Sequence, residues 1–292
     1  MKARRNFFFL VPAFVVLWSC SSAPRRPLEV DNVRSLAESQ LELANQELDH
    51  GNYGGALEML DDARRYAVNT DNPSLRIRTN LSRGNAFFYL GRTEEAFALW
   101  AETRDEAEEE NNEELLAVCR MHIARGRLLA ALAAGGDAVS AALSARDEAA
   151  GAMASIKDRM YTAFGWLVIA LAERELKNFR ESEEAVKKAL SIHEKSRYLE
   201  QTAYDWYLIA SIRSTGGMYA AAEEAVTEAI GFDRRAENSR GLAADWRALG
   251  DIRKKAGNSS GAQTAYKRSA EIYRSLGMEA EARAAERRMD SP

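Results

Sequence analysis

Residues 246–266 read WRALGDIRKKAGNSSGAQTAY, and the same pattern occurs forty and eighty residues earlier, in residues 206–226 and 166–186. Each stretch opens on a tryptophan and carries a small residue four positions later. A second small residue follows twelve positions after the first, at Ser182, Ala222 and Ala262. Two helices packed about 8–10 Å apart need small residues where they cross. A bulky residue and two small residues in fixed phase therefore predict stacked helix pairs.

The same phase can be followed back toward the amino terminus. The small residue of the first helix falls at Ala44, Gly84, Gly126, Ala170, Ala210 and Gly250. The small residues of the second helix fall at Ala56, Ala96, Ala138, Ser182, Ala222 and Ala262, and then at Ala63, Thr103, Ala145, Ala189, Ala229 and Ser269. The sequence thus predicts six helix pairs and a polar capping helix over residues 278–289, because a terminal repeat must cover its last apolar face. The extra residues of the third unit are expected in a longer loop near residues 151–158.

These residues resemble the tetratricopeptide-repeat family, whose signature reads W-x2-L-G-x2-Y, then A-x3-F, then P. The sixth unit matches best, with Trp246, Leu249, Gly250, Ala262 and Tyr266 at the corresponding positions. The resemblance covers about residues 34–277. The signature's first tyrosine and its closing proline are absent, and the period is close to forty rather than the usual 34, which is similar to the long-helix subclass. The resemblance implies an all-α, right-handed α-solenoid.

The amino terminus predicts export and lipidation. Lys2, Arg4 and Arg5 precede twelve apolar residues, 7–18, which are too few for the roughly 20 that a membrane span needs. Leu17-Trp18-Ser19-Cys20 resembles a bacterial lipoprotein box, although Trp18 replaces the usual small residue. We therefore expect a signal peptide over residues 1–19, lipid on Cys20, a tether over residues 20–33 and a solenoid over residues 34–292. Cleavage after Ala23 or an uncleaved anchor is the alternative.

Composition and charge limit the partners. Removing Lys2, Arg4 and Arg5 with the leader changes the formal charge from −4 to −7, which argues against nucleic acid. Ser21 follows Cys20 where an aspartate would resemble an inner-membrane retention signal, so the outer membrane, facing the periplasm of a bacterial cell envelope, is the expected location. Cys119, the one cysteine left after Cys20, lies in an apolar helical stretch and is expected to be buried.

The sequence predicts no catalysis, no cofactor and no metal. The three histidines, His50, His122 and His193, are scattered, and His193-Glu194 lacks the second histidine of a helical zinc motif. Ser214-Thr215-Gly216-Gly217 has no lysine after its glycines, so it reads as a turn rather than a phosphate loop. We therefore expect a binding protein rather than an enzyme.

The family resemblance implies a concave groove lined by the first helix of each pair, at positions two before, one after and five after the tryptophan position. In this register the inward residues of the second and third units are Arg78, Leu81, Asn85, Arg120, Ile123 and Arg127. Those of the fifth and sixth units are Tyr204, Tyr207, Ser211, Ala244, Arg247 and Asp251, with Lys254 one turn further. Arginine and tyrosine are common anchors of recognition surfaces. These residues therefore predict contact with an acidic partner or a free carboxylate.

The leading hypothesis is a membrane-anchored scaffold that holds a protein or extended peptide in this groove. One alternative is a periplasmic accessory that handles a small anionic ligand with a transporter's solute-binding protein. Another is an assembly factor for the outer membrane or the cell wall. The sequence does not decide the oligomeric state or the partner's identity.

Overall fold

The structure, a computed structural model, describes residues 32–290. These residues form α-helices, one short 3-10 helix (Met153–Ser155) and no strand. The α-helices are α1 (Asn32–Asp49), α2 (Tyr53–Asn69), α3 (Pro73–Tyr89), α4 (Thr93–Glu109), α5 (Glu113–Ala134), α6 (Ala138–Ala152), α7 (Arg159–Glu175), α8 (Phe179–Ser196), α9 (Leu199–Thr215), α10 (Tyr219–Ala236), α11 (Ser239–Lys255), α12 (Ser259–Ser275) and α13 (Glu279–Asp290).

Helices α1 to α12 form six consecutive pairs, as the sequence predicted. Each helix packs mainly against its neighbours in the chain, and first helices of adjacent pairs also touch. Helix α13 covers the last pair, where Ala282 is buried beside Tyr273 and Ala243. The all-α solenoid with a terminal capping helix is confirmed. Among the described residues, no helix is both long and apolar enough to cross a membrane.

Asparagine side chains fix the starts of several helices. An asparagine at the N-cap accepts a hydrogen bond from the backbone N–H three residues later, which satisfies a donor that has no partner inside the helix. The asparagines that do this are Asn52, Asn72, Asn112, Asn238 and Asn258. Asn72 and Asn112 thus begin α3 and α5, the first helices of the second and third pairs.

The third unit has a different register from the one that the sequence predicted. The first helices of units two to six start at residues 73, 113, 159, 199 and 239, so the interval is forty residues except before α7. Counting from the helix start places Ala124, not Gly126, at the small position and Arg120, not His122, at the tryptophan position. Two residues along an α-helix correspond to a rotation of about 200°. The inward positions of α5 are therefore Val118, Met121 and Arg125.

A longer first helix accounts for most of the extra residues of the third unit. Helix α5 has 22 residues where α3 and α7 have 17, because the alanine- and leucine-rich segment before Gly135 continues the helix. The buried small residues of α6 are Ala142, Ala145 and Ala149, so Ala145 is buried as expected, whereas Ala138 is only half-buried. The expected longer connection is found at residues 153–158, where the 3-10 turn and a short extended segment join α6 to α7, while the other connections between pairs have two or three residues.

Gly126, which the sequence analysis placed where the helices of its own pair cross, has another role. Trp100 of α4 is almost fully buried, and its indole N–H donates to the carbonyl oxygen of Leu81 at 3.2 Å. A Cβ added to Gly84 or Gly126 would lie 2.1 Å or 2.6 Å from this indole. Gly126 is therefore small because Trp100 of the preceding pair packs on it, rather than because its own pair crosses there.

Two polar contacts recur forty residues apart. Arg213 of α9 binds Glu183 of α8 at 2.8 Å, and Arg253 of α11 binds Glu223 of α10 at 2.6 Å. The hydrogen bond from Arg213 is the main cause that lowers the pKa of Glu183 to about 2. These ion pairs join the first helix of one pair to the second helix of the preceding pair.

Two buried side-chain pairs, one of histidine with aspartate and one of two aspartates, also recur at the same interval. The imidazole Nδ1 of His193 lies 2.6 Å from a carboxylate oxygen of Asp205, and both side chains are buried. Forty residues on, Asp233 and Asp245 hydrogen-bond to each other. Burial and the neighbouring Asp233 raise the pKa of Asp245 to about 9, and burial is the main cause that raises the pKa of Asp233 to about 6. This pair holds one shared proton at neutral pH.

Candidate functional site

The first helices of the pairs form a curved surface, which we call the inner face. Tyr161 of α7 takes a hydrogen bond from Arg78 of α3, and Tyr204 of α9 lies close enough to Arg125 of α5 for its charge to act on the phenol. Each of these contacts passes over an intervening first helix. Side chains two units apart can meet only where the surface is concave.

Arg125 lies at the centre of an aromatic cluster on the inner face. Its guanidinium donates a hydrogen bond to the Tyr89 hydroxyl at 2.5 Å. The Tyr89 ring stacks on Tyr53, with ring centroids 5.1 Å apart. Tyr204, which also lies near Arg125 and Tyr89, stacks on Tyr207 with centroids 6.2 Å apart. These five residues are called the Arg125 cluster.

The cluster is crowded by protein but open to a ligand. Tyr204 retains 50% of its exposure and Tyr89 retains 42%. Partial desolvation by the surrounding protein is the main cause that raises the pKa of Tyr204, although the charge of Arg125 opposes the shift. The Tyr204 phenol is thus a neutral hydrogen-bond donor at physiological pH. A half-exposed side chain in a desolvated setting is typical of a groove.

His122 keeps its side of the inner face uncharged. Its Nδ1 lies 3.1 Å from the Oδ1 of Asn85, and its ring stacks on Phe164 with centroids 4.5 Å apart. Desolvation, with a further contribution from the charge of Arg125, lowers the pKa of His122 to about 3. His122 is therefore neutral, and the positive charge beside it belongs to Arg125.

The inner arginines differ from the other arginines in their partners. Within residues 32–290, Arg78, Arg125 and Arg247 have no carboxylate within 4 Å. Each of them interacts with a tyrosine hydroxyl instead. For Arg247 this tyrosine is Tyr273: burial raises the pKa of Tyr273, and the charge of Arg247 lowers it. By contrast, the outward-lying Arg76 pairs with Glu106. The inner face thus carries positive charge that no nearby carboxylate of the described chain neutralises.

Most of the residues predicted for the groove lie on the inner face. Arg78, Asn85, Tyr204 and Tyr207 make the contacts given above. Arg247 lies on α11 in reach of Tyr273, and Lys254 is half-buried further along the same helix. Their contact with a partner stays a prediction.

Arg120 and Arg127 lie elsewhere, contrary to the expected orientation. Arg120 borders a cavity with Asp147 and Glu148 of α6, and Arg127 borders a depression with residues of α4 that include Arg104. Both arginines therefore face the second helices, on the side of α5 opposite Arg125. The two-residue shift of the third unit is the reason. Arg125, which the sequence register left out, takes the inward position.

The first pair meets the fifth and sixth pairs at one edge of the inner face. Gln201 Nε2 donates to Asp49 Oδ2 at 3.4 Å, and the His50 imidazole lies 3.5 Å from the Glu200 carboxylate. Arg240 donates to the backbone carbonyl oxygen of His50. We call this contact the junction. It joins residues about 150 to 190 positions apart, so it closes one edge of the groove.

The remaining candidates for chemistry are inert or scattered. Cys119 is buried, as expected, and desolvation is the main cause that raises the pKa of its thiol to about 12. No group of three or more histidine, cysteine, aspartate or glutamate side chains within the described range could hold a metal ion. The expectation about Cys20 falls on residues 1–31, which lie outside the described residues. Helix α1 begins at Asn32, so the last two residues of the expected tether are helical.

Comparison with solved structures supports the fold. A Rap protein complexed with competence and sporulation factor matches with a TM-score of 0.56 and 15% identity, covering 84% of this chain and 68% of that one. BtubC from P. vanneervenii matches with a TM-score of 0.56 and 15% identity, covering 82% and 92%. Aspartyl phosphate phosphatase F from Bacillus subtilis matches with a TM-score of 0.50 and 14% identity, covering 88% and 70%.

At these identities the likeness is one of fold. No family profile matches the chain, and no curated protein matches it at a significant level. The phase of small residues, the six helix pairs and the solved structures agree with each other. The chain has a helix-pair solenoid fold, and its repeats resemble those of the tetratricopeptide-repeat family.

Proposed function

We propose that the chain is a non-enzymatic interaction scaffold that binds an extended peptide or protein segment along its inner face. The Arg125 cluster carries the proposal. It combines one guanidinium without a nearby carboxylate partner in the described chain and four tyrosine rings contributed by three pairs. Such a site is shaped for a ligand that presents a carboxylate beside apolar or aromatic groups.

The chemistry of the cluster favours a carboxylate. An arginine fork can hold a carboxylate with two parallel hydrogen bonds, and the hydroxyl groups of Tyr89 and Tyr204 add further donors. Tyrosine and arginine also dominate the energetics of protein interfaces. Because Arg125 is crowded by protein, a hydrogen bond from it to a charged ligand is worth about 1.5–3 kcal/mol. Losing it corresponds to a roughly tenfold to hundredfold loss of affinity.

The inner face also offers a path for an extended segment. Arg78 and Arg125 lie on α3 and α5, Tyr204 and Tyr207 on α9, and Arg247 on α11. A ligand that follows the groove would meet cations, then aromatic rings, then another cation. One neighbour of the same fold was solved with competence and sporulation factor bound, which is compatible with ligand binding by this architecture.

We further propose that lipid on Cys20 holds the scaffold at the bacterial cell envelope, on the periplasmic side of the outer membrane. The charged start, the short apolar segment and the Leu17-x-Ser19-Cys20 sequence support this proposal. Several acyl chains anchor a protein stably, since each buried methylene contributes about 0.8 kcal/mol. The solenoid would then present its inner face to periplasmic partners.

A periplasmic accessory for a small anionic ligand is the second candidate. The junction favours it, because a groove closed at one edge suits a small ligand as well as a peptide. An assembly factor for the outer membrane or cell wall would use the same groove for a protein segment. The two classes differ in ligand length, so a peptide selection separates them.

The test is affinity selection from a random peptide library on residues 34–292. We expect peptides with acidic residues or a free carboxylate to be enriched. Arg125→Ala should then weaken the selected peptides about tenfold to hundredfold. Arg120→Ala is the matched control, since it removes the same side chain from the opposite face of α5. Equal losses in both variants, or selection of basic peptides, would contradict the proposal.

A further inference from the structure

The junction is held by polar contacts alone. Apolar clusters connect neighbouring pairs, but none of those formed by the described residues contains residues from both sides of the junction. Its contacts are the hydrogen bond between Gln201 and Asp49, the approach of His50 to Glu200, and the hydrogen bond from Arg240 to a backbone oxygen. The junction can therefore open without exposing core side chains.

On both sides of the junction, residues of the Arg125 cluster follow within a few positions along the chain. On the first pair, Gly51 is followed two residues later by Tyr53, which stacks on Tyr89. On the fifth pair, Glu200 precedes Tyr204 by one helical turn. Opening the junction would move Tyr53 and Tyr204 apart, and both residues belong to the Arg125 cluster.

Acidic groups crowd the junction. The carboxyl groups around it are Asp49 and Glu47 of α1, Glu200 of α9, Asp233 of α10 and Asp245 of α11, and the cationic groups are His50 and Arg240. Glu47 is engaged by Asn52 at 2.7 Å. Asp49 and Glu200 approach each other from the two sides of the junction, so their mutual repulsion acts directly on its closure.

Protonation therefore favours closure. Desolvation, and after it the charge of Glu200, raises the pKa of Asp49 to about 6. A pKa raised by the closed arrangement means that closure is favoured while Asp49 is protonated and is progressively lost as the pH rises through about 6. The charge of His50 and the hydrogen bond from Gln201 lower the pKa of Asp49, but desolvation and Glu200 outweigh them. The Asp233–Asp245 pair lies on the same side of the junction as Glu200, so it does not reverse this effect of pH on closure.

We infer that the junction is a latch that closes the groove over the Arg125 cluster in mild acid and loosens as Asp49 ionises. Ligand access to the inner face is then coupled to the latch. The inference concerns the free protein, so it stands or falls independently of which ligand the groove binds.

The experiment measures the width of the latch by double electron–electron resonance. Spin labels are placed at Glu58→Cys on α2 and Glu228→Cys on α10, in the full chain carrying Cys20→Ser and Cys119→Ala. At about pH 5 we expect one narrow distance distribution, and at about pH 8 a longer and broader one, with a midpoint near pH 6. An identical distribution at both pH values would overturn the inference.

Three variants make the test specific. Glu200→Gln removes the charge that opposes Asp49, so the short distance should persist at about pH 8. Arg240→Ala removes the tie to the His50 carbonyl, so the long distance should be present at about pH 5. Arg235→Ala, the same substitution at an exposed site on α10, should match the parent. If Glu200→Gln retains the parent's pH response, the latch is wrong even if Arg240→Ala fails to fold.

Discussion

Replacing Asp245 with asparagine tests the buried carboxyl pair that joins α10 to α11. Asp233 and Asp245 are 3% and 2% exposed and hydrogen-bond to each other, which requires a proton on one of them. Asp233 also accepts a hydrogen bond from Asn238 at 3.0 Å. An asparagine amide at position 245 can donate to Asp233 without any bound proton, so Asp245→Asn should keep the contact and remove its dependence on pH.

The magnitude follows from proton linkage. Between about pH 6 and pH 9 the native pair retains one proton that the unfolded carboxyl groups have lost. The pKa values are raised in the folded state, so this contribution is complete below the unfolded pKa and declines as the pH rises. Because the native state binds one proton more than the unfolded state, the free energy of unfolding falls by about 1.36 kcal/mol for each unit of rise in pH. Between pH 6 and pH 8 it falls by about 2.7 kcal/mol.

Urea unfolding at several pH values measures this effect. The free energy of unfolding of Asp245→Asn, relative to the parent, should rise by about 2.7 kcal/mol from pH 6 to pH 8. Asp147→Asn is the control, because that carboxylate is exposed and its neutralisation should leave the parent's pH dependence unchanged. Parallel curves for the parent and Asp245→Asn would show that the pair carries no extra proton and would refute the reasoning.

Two further predictions concern the anchor and the register. Labelled fatty acid should enter the full chain in a bacterial host, and Cys20→Ser should abolish incorporation; continued labelling of that variant would contradict lipidation at Cys20. Ala222→Leu and Ala142→Leu should each overpack a helix pair and lower the free energy of unfolding by about 1–3 kcal/mol, whereas Ala138→Leu, at a partly exposed site, should change it by less than about 1 kcal/mol. Equal effects at positions 138 and 142 in urea unfolding would show that the revised register is wrong.

The helix pairs could be predicted because their packing leaves a local signal. A small residue is required wherever two helices cross closely, so Ala222 and Ala262 mark the pairs independently of the rest of the fold. The asparagine caps are equally local, since Asn72 and Asn112 each bind a backbone N–H three residues away. Such features depend on neighbouring residues alone.

The register of the third unit failed because two small residues lie close together in α5. Ala124 occupies the position shared by all units, whereas Gly126 accommodates Trp100 of the preceding pair. The sequence contained the signal that decides between them. Asn72 and Asn112 are forty residues apart, and counting from these caps places Arg125 on the inner face and Arg120 on the opposite side.

The composition of the site depends on the curvature of the whole solenoid. Arg125 meets Tyr204 only because α5 and α9 turn toward each other, and Asp49 meets Gln201 after about 150 intervening residues. No local pattern encodes these distances. The sequence could therefore identify Tyr204 and Tyr207 as inward residues, but not the arginine that they accompany or the junction beside them.

Crosslinking in cells tests the binding role of the inner face most directly. A photoreactive phenylalanine derivative replaces Tyr207 in one strain and Arg127 in another, and mass spectrometry identifies the captured proteins. The proposal predicts a specific partner captured from position 207, not from position 127, with capture reduced about tenfold or more by Arg125→Ala. Equal capture of the same partner from both positions, or capture from position 207 that Arg125→Ala leaves unchanged, would contradict it.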